Sequence, residues 1–405
     1  MKLNLNDTQN QIVACLLVAT TLFISPSLLS LSYSFVGIIL ALLSLFTFIV
    51  LFKKHTNIFP IALSIIVFNC LYWFFILMQT LIISDTESEY LLQTSIINLT
   101  LLMVYSILLS DKDLNYSYFR NFIKLIYLLC LSFAITSLLS QVMNFEKLNF
   151  MQVNIGSYHT GGTIYFPVTA IYGIMHTGDL ALPKFQLFFR ESGIAQAFII
   201  WSIFNLKKFN LNKKRIYFIL HFGLIGTFST TAIAIYFVTL AYFLILRGKM
   251  KFKQAFLSLV ILFGAYFGVM NLPYVGIQDK LITHSASIED RLINNLDGAR
   301  ELLINPLGTG FKANDNENDG ISIIALSSKI GLVGLILVIL TFFGPLMFSK
   351  EKRVYFGSIL PIFLTALLAQ PIAGDTMIGV ILLSLIFNKD NYLKEGEQNE
   401  ENFAL

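Results

Sequence analysis

Long apolar runs, broken by short polar turns, cover most of the chain. With about 20 apolar residues needed to cross a bilayer, they predict twelve membrane spans, near 11–31, 33–52, 59–83, 91–110, 121–142, 192–206, 216–229, 231–247, 254–271, 321–347, 354–371 and 373–388. The least defined are the short pair in 216–246, which one tilted helix would also cover, and the pair in 354–387, joined around Pro371 to Gly374. Two stretches, 141–191 and 271–320, are too polar to cross and are predicted as large loops. The expectation is an all-α, polytopic integral membrane protein, a single membrane domain over 1–405 whose tail, 389–405, is acidic and solvated.

Composition narrows the class further. The chain is 56% hydrophobic and 13% charged, against about 25% charged in soluble domains. Its net charge of +4 comes from basic residues in short clusters between apolar runs, which argues against nucleic acid as a partner. Cys15, Cys70 and Cys130 sit inside apolar runs without pairing spacing, so they read as packing residues and not as disulfides or zinc ligands. No small-residue cleavage site follows the first apolar run, which therefore reads as a retained anchor.

Charge also sets orientation. With the N-terminus in the cytoplasm and twelve crossings, only Lys147, Lys184, Arg190, Lys280, Arg291, Arg300, Lys312 and Lys329 fall outside, leaving 20 of the 28 basic residues inside. Merging either short hairpin would put the next basic cluster on the wrong side. Both termini are thus expected in the cytoplasm and both large loops on the outer face.

The first loop holds an apolar, aromatic segment from Thr163 to Met175, too short to span, which predicts a re-entrant piece dipping into the interface or capping a cavity. Arg190 stands where the chain re-enters the membrane, followed by Glu191, Ser192 and Gly193. Its planar fork binds an anion such as phosphate, or it forms a structural pair with Glu191 or another loop acid, or it snorkels to the interface. His159, His176 and Asp179 lack zinc spacing and read as solvated, as do His284, His55 and His221. Ser229, Thr230 and Thr231 form a hydroxyl-rich turn that can serve freed backbone groups, sugar hydroxyls or simple helix packing. Nucleotide-binding loops and catalytic-triad order are absent, so ATP- or NAD-dependent chemistry would need a partner protein.

The second loop is the richest in polar chemistry. Leu292, Leu296, Ala299 and Leu303 recur at helical spacing and predict a helix on the membrane surface, with Arg291, Asp297, Arg300 and Glu301 facing water, a headgroup or a ligand. A Pro-Gly turn at 305–310 follows, then Asp315, Glu317 and Asp319, then an apolar helix with Lys329 about two turns inside, either paired with an acid or snorkelling. Polar groups on this scale beside a membrane are costly and mark a functional site by default.

The order of these features carries a resemblance. An Arg-x-x-Gly at the head of a span, the turn in TFSTTAIAI, then RLINNLDGARELLINPLGTGF followed by ENDGISIIALSSKIGLVGLIL, together covering roughly Phe188 to Leu340, resemble the O-antigen polymerase and ligase superfamily of bacterial envelope polysaccharide enzymes. The resemblance implies a membrane glycosyltransferase that needs no metal or other cofactor, acts at the outer face of the bacterial cytoplasmic membrane and uses undecaprenyl-pyrophosphate-linked oligosaccharide. Membrane lipids and a chain-length regulator are the further partners it implies. It assigns Arg190 to the pyrophosphate and Arg291 or Arg300 to the same anionic substrate, with Gly193 and Ser229 beside it. The ligase branch carries a His-Asn pair where this chain reads Glu317, Asn318, Asp319 and Gly320, which favours a polymerase of O antigen or capsule.

Glycosyl transfer from a pyrophosphate needs cations that stabilise the leaving group and an acceptor for the attacking hydroxyl's proton. The basic candidates are those three arginines; the candidate bases are Glu317, Asp319 and Glu191. Three alternatives remain: the ligase, a lipid-linked oligosaccharide flippase, and a secondary transporter, for which Lys329 and Asp375 supply intramembrane ionisable groups.

Overall fold

The computed structural model describes residues 5–52, 58–82, 88–152, 163–177, 180–246, 285–311, 322–349, 351–370 and 372–387, with Val260, Gly264, Gly268 and Asn271 between them. The predicted span at 254–271 and the tail at 389–405 therefore lie almost wholly outside the described residues. Among the latter, the apolar runs form helices α1 (Leu5–Thr21), α2 (Ser30–Phe52), α3 (Pro60–Ile82), α4 (Ser88–Leu108), α5 (Lys112–Leu139), α6 (Ser192–Asn205), α7 (Lys214–Gly226) and α8 (Thr230–Leu246). After the second loop begin α9 (Ser285–Ile304), α10 (Ile323–Phe343), α11 (Lys352–Leu368) and α12 (Thr376–Leu382).

Among the described residues, five helical stretches are long and apolar enough to cross a membrane: α2, α3, Leu91–Leu108 within α4, α5, and Ile323–Met347. Shorter apolar helices lie at Ser192–Asn205, Thr230–Ile245 and Thr376–Leu385. The protein is a helical membrane protein, and its surface has the matching polarity. On α2 the stripe Phe35, Ile39, Leu42, Phe46 and Ile49 is exposed, while small residues Gly37, Ala41 and Ser44 turn inward. That arrangement suits lipid outside and close helix approach within.

Helix α5 starts where Asp111 accepts from the backbone N–H groups of Asp113 and Leu114, the usual use of an aspartate at a helix start. Its buried face packs Phe119 and Phe122 at tilted and edge-on angles against Trp201 and Phe198 of α6, and α1, α6 and α7 all pack on it. A second group joins α3 to α4 and α10, and α11 bridges the two through α6, α8 and α10.

The all-α expectation needs one correction. The first large loop is a four-stranded antiparallel sheet, β1 (Asn149–Gln152), β2 (Thr163–Tyr165), β3 (Thr169–Thr177) and β4 (Leu180–Leu187), in that spatial order. The segment read as re-entrant is thus β2 and most of β3, an apolar run too short to span but of strand length. Pro183 is tolerated because β4 is an edge strand. The sheet is also driven into the bundle. Phe185 is fully buried and stacks on Phe133 of α5 at 4.5 Å, and the Ser132 and Thr169 hydroxyls meet at 2.6 Å. Were this sheet to enter the hydrocarbon, its backbone would need such protein cover.

Candidate functional site

Three non-helical pieces of chain meet inside the helices: the turn between α1 and α2, the end of β4, and the turn between α11 and α12. Backbone bonds fasten them. Leu28 N donates to Phe188 O at 2.9 Å, Arg190 N to Pro26 O at 3.2 Å, and Met377 N to Ser25 O at 3.0 Å. The last bond satisfies an N–H in the first turn of α12 from outside that helix, which frees the side chain of Asp375, at the position before Thr376, from capping. Its carboxylate turns to Arg190 instead. Arg190 Nη2 lies 3.1 Å from Oδ2 and 3.3 Å from Oδ1, and the Ser25 hydroxyl donates to Oδ1. The pair is largely but not wholly enclosed, the Arg190 side chain being 26% exposed and that of Asp375 12%.

Two neighbouring helices measure its depth. A Cβ on Gly374 would stand 3.2 Å from the Tyr72 ring of α3, and Thr376 donates to Asn98 of α4 at 2.7 Å. Tyr72 and Asn98 are each ten residues from the common end of α3 and α4, at Ile82 and Ser88. At about 1.5 Å per residue, both place the pair about 15 Å below that end, roughly halfway along a membrane-length helix. Unused polar groups cluster near it in sequence. Arg190 Nε and both amide atoms of Gln186 and of Gln196 are buried without a hydrogen-bond partner. Each such group costs about 1–3 kcal/mol unless water or a ligand satisfies it.

The second loop is locked by a different device. Helix α10 breaks at Gly331, where φ is +67°, and the turn at 305–310 plugs the break. Thr309 N donates to Ser328 O at 2.9 Å, Gly310 N to Lys329 O at 3.0 Å, and Leu332 N to Pro306 O at 2.7 Å. Gln79 of α3 clamps both sides, its amide nitrogen donating to Leu307 O at 2.6 Å and Lys329 O at 2.9 Å. Gly308, with φ at +79°, and Gly331 touch backbone to backbone, leaving neither room for a side chain. Lys329 is buried, its ammonium 5.9 Å from the Phe311 ring centroid.

The sequence candidates divide. Arg190 has a carboxylate partner among the described residues, Asp375, which lies in the turn before α12 and not in the first large loop. Glu191 sits next to it at the head of α6 without capping that helix. Gly193 faces the Gln370 side chain closely enough that a Cβ would collide with it. The Ser229 hydroxyl accepts from Ala232 N at 3.4 Å at the start of α8.

Helix α9 is present as expected but does more than lie on a surface. Gly298 packs against α10, where a Cβ would stand 2.7 Å from Ala325 Cα. Leu296 and Leu303 remain exposed. Arg300 is exposed two residues from Gly298, hence turned away from that seam, and among the described residues no hydrogen bond or ion pair joins it to Arg190. Only the backbone of Arg291 is described, within α9. Glu317 and Asp319 lie outside the described residues, as do His159 and Asp179.

Asp375 is the residue that sequence reasoning undervalued. It is the single charged side chain between Arg353 and Lys389, and an acid isolated in an apolar run is the signal that could have found it. No known protein family, curated protein or solved structure matches this chain.

Proposed function

We propose that the protein is a polysaccharide polymerase of the bacterial cytoplasmic membrane, multi-pass with both termini in the cytoplasm. It transfers a glycan from undecaprenyl pyrophosphate onto another lipid-linked repeat unit. The observation that carries this reading is Arg190, an arginine held about halfway down the helices by three loop segments, partly accessible and with its Nε unspent. A guanidinium so placed suits the pyrophosphate of a lipid whose tail lies in the bilayer. Arg291 and Arg300 remain the second-loop candidates for the same anion. Glu191, Glu317 and Asp319 remain the sequence candidates for the base.

A second reading has its own support. An ionisable pair at this depth, together with helices interrupted at Gly331 and between α11 and α12, also suits a flippase or transporter of lipid-linked oligosaccharide. A ligase differs from the polymerase only in its acceptor.

In-frame deletion in the native host, with a complemented strain, separates the three on a gel of surface polysaccharide. Loss of the ladder with a surviving single-repeat product supports the polymerase. Absence of attached glycan with long polymer still on the lipid carrier indicates the ligase, and a block before any outward-facing repeat unit indicates the flippase. An unchanged ladder in an expressed Arg190→Ala variant would remove the role of Arg190.

A further inference from the structure

We propose that Asp375 is an exchangeable partner of Arg190: it holds the guanidinium at rest, yields it to the arriving pyrophosphate, and then takes the proton of the attacking sugar hydroxyl. This rests on the polymerase reading and adds a residue to it.

Three observations point to this role. Asp375 stands at the start of α12, where an aspartate ordinarily accepts from the helix's own N–H groups, yet it makes no such bond. Ser25 O receives the Met377 N–H in its place. The carboxylate is therefore committed to Arg190 and Ser25 alone among the partners the structure gives it.

Secondly, only one terminal nitrogen of Arg190 is engaged, at 3.1 and 3.3 Å from the two carboxylate oxygens. A pairing chosen for stability would use the whole fork. Nε stays buried and unpartnered, so the site holds more donor capacity than Asp375 uses.

Thirdly, the segments that carry the pair are joined by main-chain bonds that use no side-chain atom of it. The bonds from Leu28, Arg190 and Met377 run between backbone groups alone. The two charges can part without the turns coming undone.

In the reaction, the acceptor hydroxyl oxygen bonds to the donor's anomeric carbon. The anomeric carbon–oxygen bond breaks, and its electron pair leaves on the lipid pyrophosphate, stabilised by Arg190. The hydroxyl proton passes to the Asp375 carboxylate, which returns it to water before the next transfer.

The test compares wild type, Asp375→Asn, Asp375→Glu and Arg190→Ala as full-length protein in lipid nanodiscs, with farnesyl pyrophosphate as probe, and scores each variant's glycan ladder in the deleted host. Removing the competing carboxylate is expected to tighten probe binding of Asp375→Asn about tenfold while abolishing the ladder. A purely structural aspartate would not give tighter binding. Asp375→Glu, which keeps a carboxylate, is expected to retain a shortened ladder. A wild-type ladder in Asp375→Asn, or a probe affinity no tighter than wild type, overturns the proposal. So does a ladder as absent in Asp375→Glu as in Asp375→Asn. If those failures occur while Arg190→Ala still loses probe and ladder together, the polymerase reading stands without this step. If Arg190→Ala keeps both, that reading falls with it.

Discussion

The two places where the fold departs from simple helices are built from opposite materials. At the Gly308–Gly331 contact, main chain meets main chain: the carbonyls freed by the break in α10 receive N–H groups from the 305–310 turn, and Gln79 closes the joint. At the Arg190–Asp375 contact the main chain is already fastened, and what meets is a pair of charged side chains with donors to spare. The first has almost no freedom to change, since two glycines at positive φ leave no space. At the second, main-chain bonds from Leu28, Arg190 and Met377 already join the segments, which is what the proposed exchange of partners requires. A membrane protein needs both: irregular backbone must be fully bonded where water is scarce, whereas a site that binds and releases an anion must keep its charges adjustable.

The sharpest way to break the contrast is at the glycines. Gly331→Val and Gly308→Val would each combine a disfavoured φ with a collision against backbone that cannot yield. We expect each to cost about 3 kcal/mol or more and to prevent accumulation of folded protein, as measured by monodispersity in detergent. A folded, thermally normal Gly331→Val would mean that the joint is adjustable after all.

Next comes the charged pair. Arg190→Ala leaves Asp375 without its cation and should cost about 2 kcal/mol, below the usual figure for a buried pair because both side chains reach solvent. Replacing both members, Arg190→Met with Asp375→Leu, should recover most of that stability and none of the polymer. Thermal unfolding beside the glycan gel reads both, and a double variant that still polymerised would end the functional reading of the pair.

Gln79→Leu removes two hydrogen bonds from the backbone joint but leaves the three backbone bonds. A loss of about 2 kcal/mol is expected, with the ladder present at reduced intensity, and an unstable protein without any ladder would show that Gln79 closes the joint alone. Smallest is Ser229→Ala. Its single long bond to Ala232 N predicts about 0.5–1 kcal/mol and an unchanged ladder. A lost ladder there would restore Ser229 to the substrate.

Among the described residues the hydrophobic pattern marks where most helices lie, because burying or lipid-facing apolar runs of this length have few other options. It carries the first span to 31, however, whereas α1 ends at Thr21 and 22–29 is the turn that holds Ser25. From Thr163 onward it predicts a re-entrant piece dipping into the interface or capping a cavity, and the structure has two strands there. Short apolar runs carry the same signal for either outcome, and only pairing with β4 and the seat beneath Phe133 decide between them. Arg190 was legible as an arginine out of place at a span's head, and the 305–310 turn was legible as a Pro-Gly turn. Neither partner was. Asp375 is 185 residues from Arg190, and Gln79 is 228 from Leu307. A single chain offers no periodicity or spacing that could reveal such meetings.

The sequence by itself determined that this is a helical membrane protein, where most helices lie, and which loops carry its polar groups, since transfer of side chains between water and hydrocarbon depends on composition over about 20 residues. Tertiary structure alone decided that a capping aspartate would forgo its own helix for a distant arginine, and that a loop turn would complete a broken helix. Both outcomes follow from hydrogen-bonding groups that must be satisfied where water is scarce, and the groups able to satisfy them are brought close only when the chain has folded.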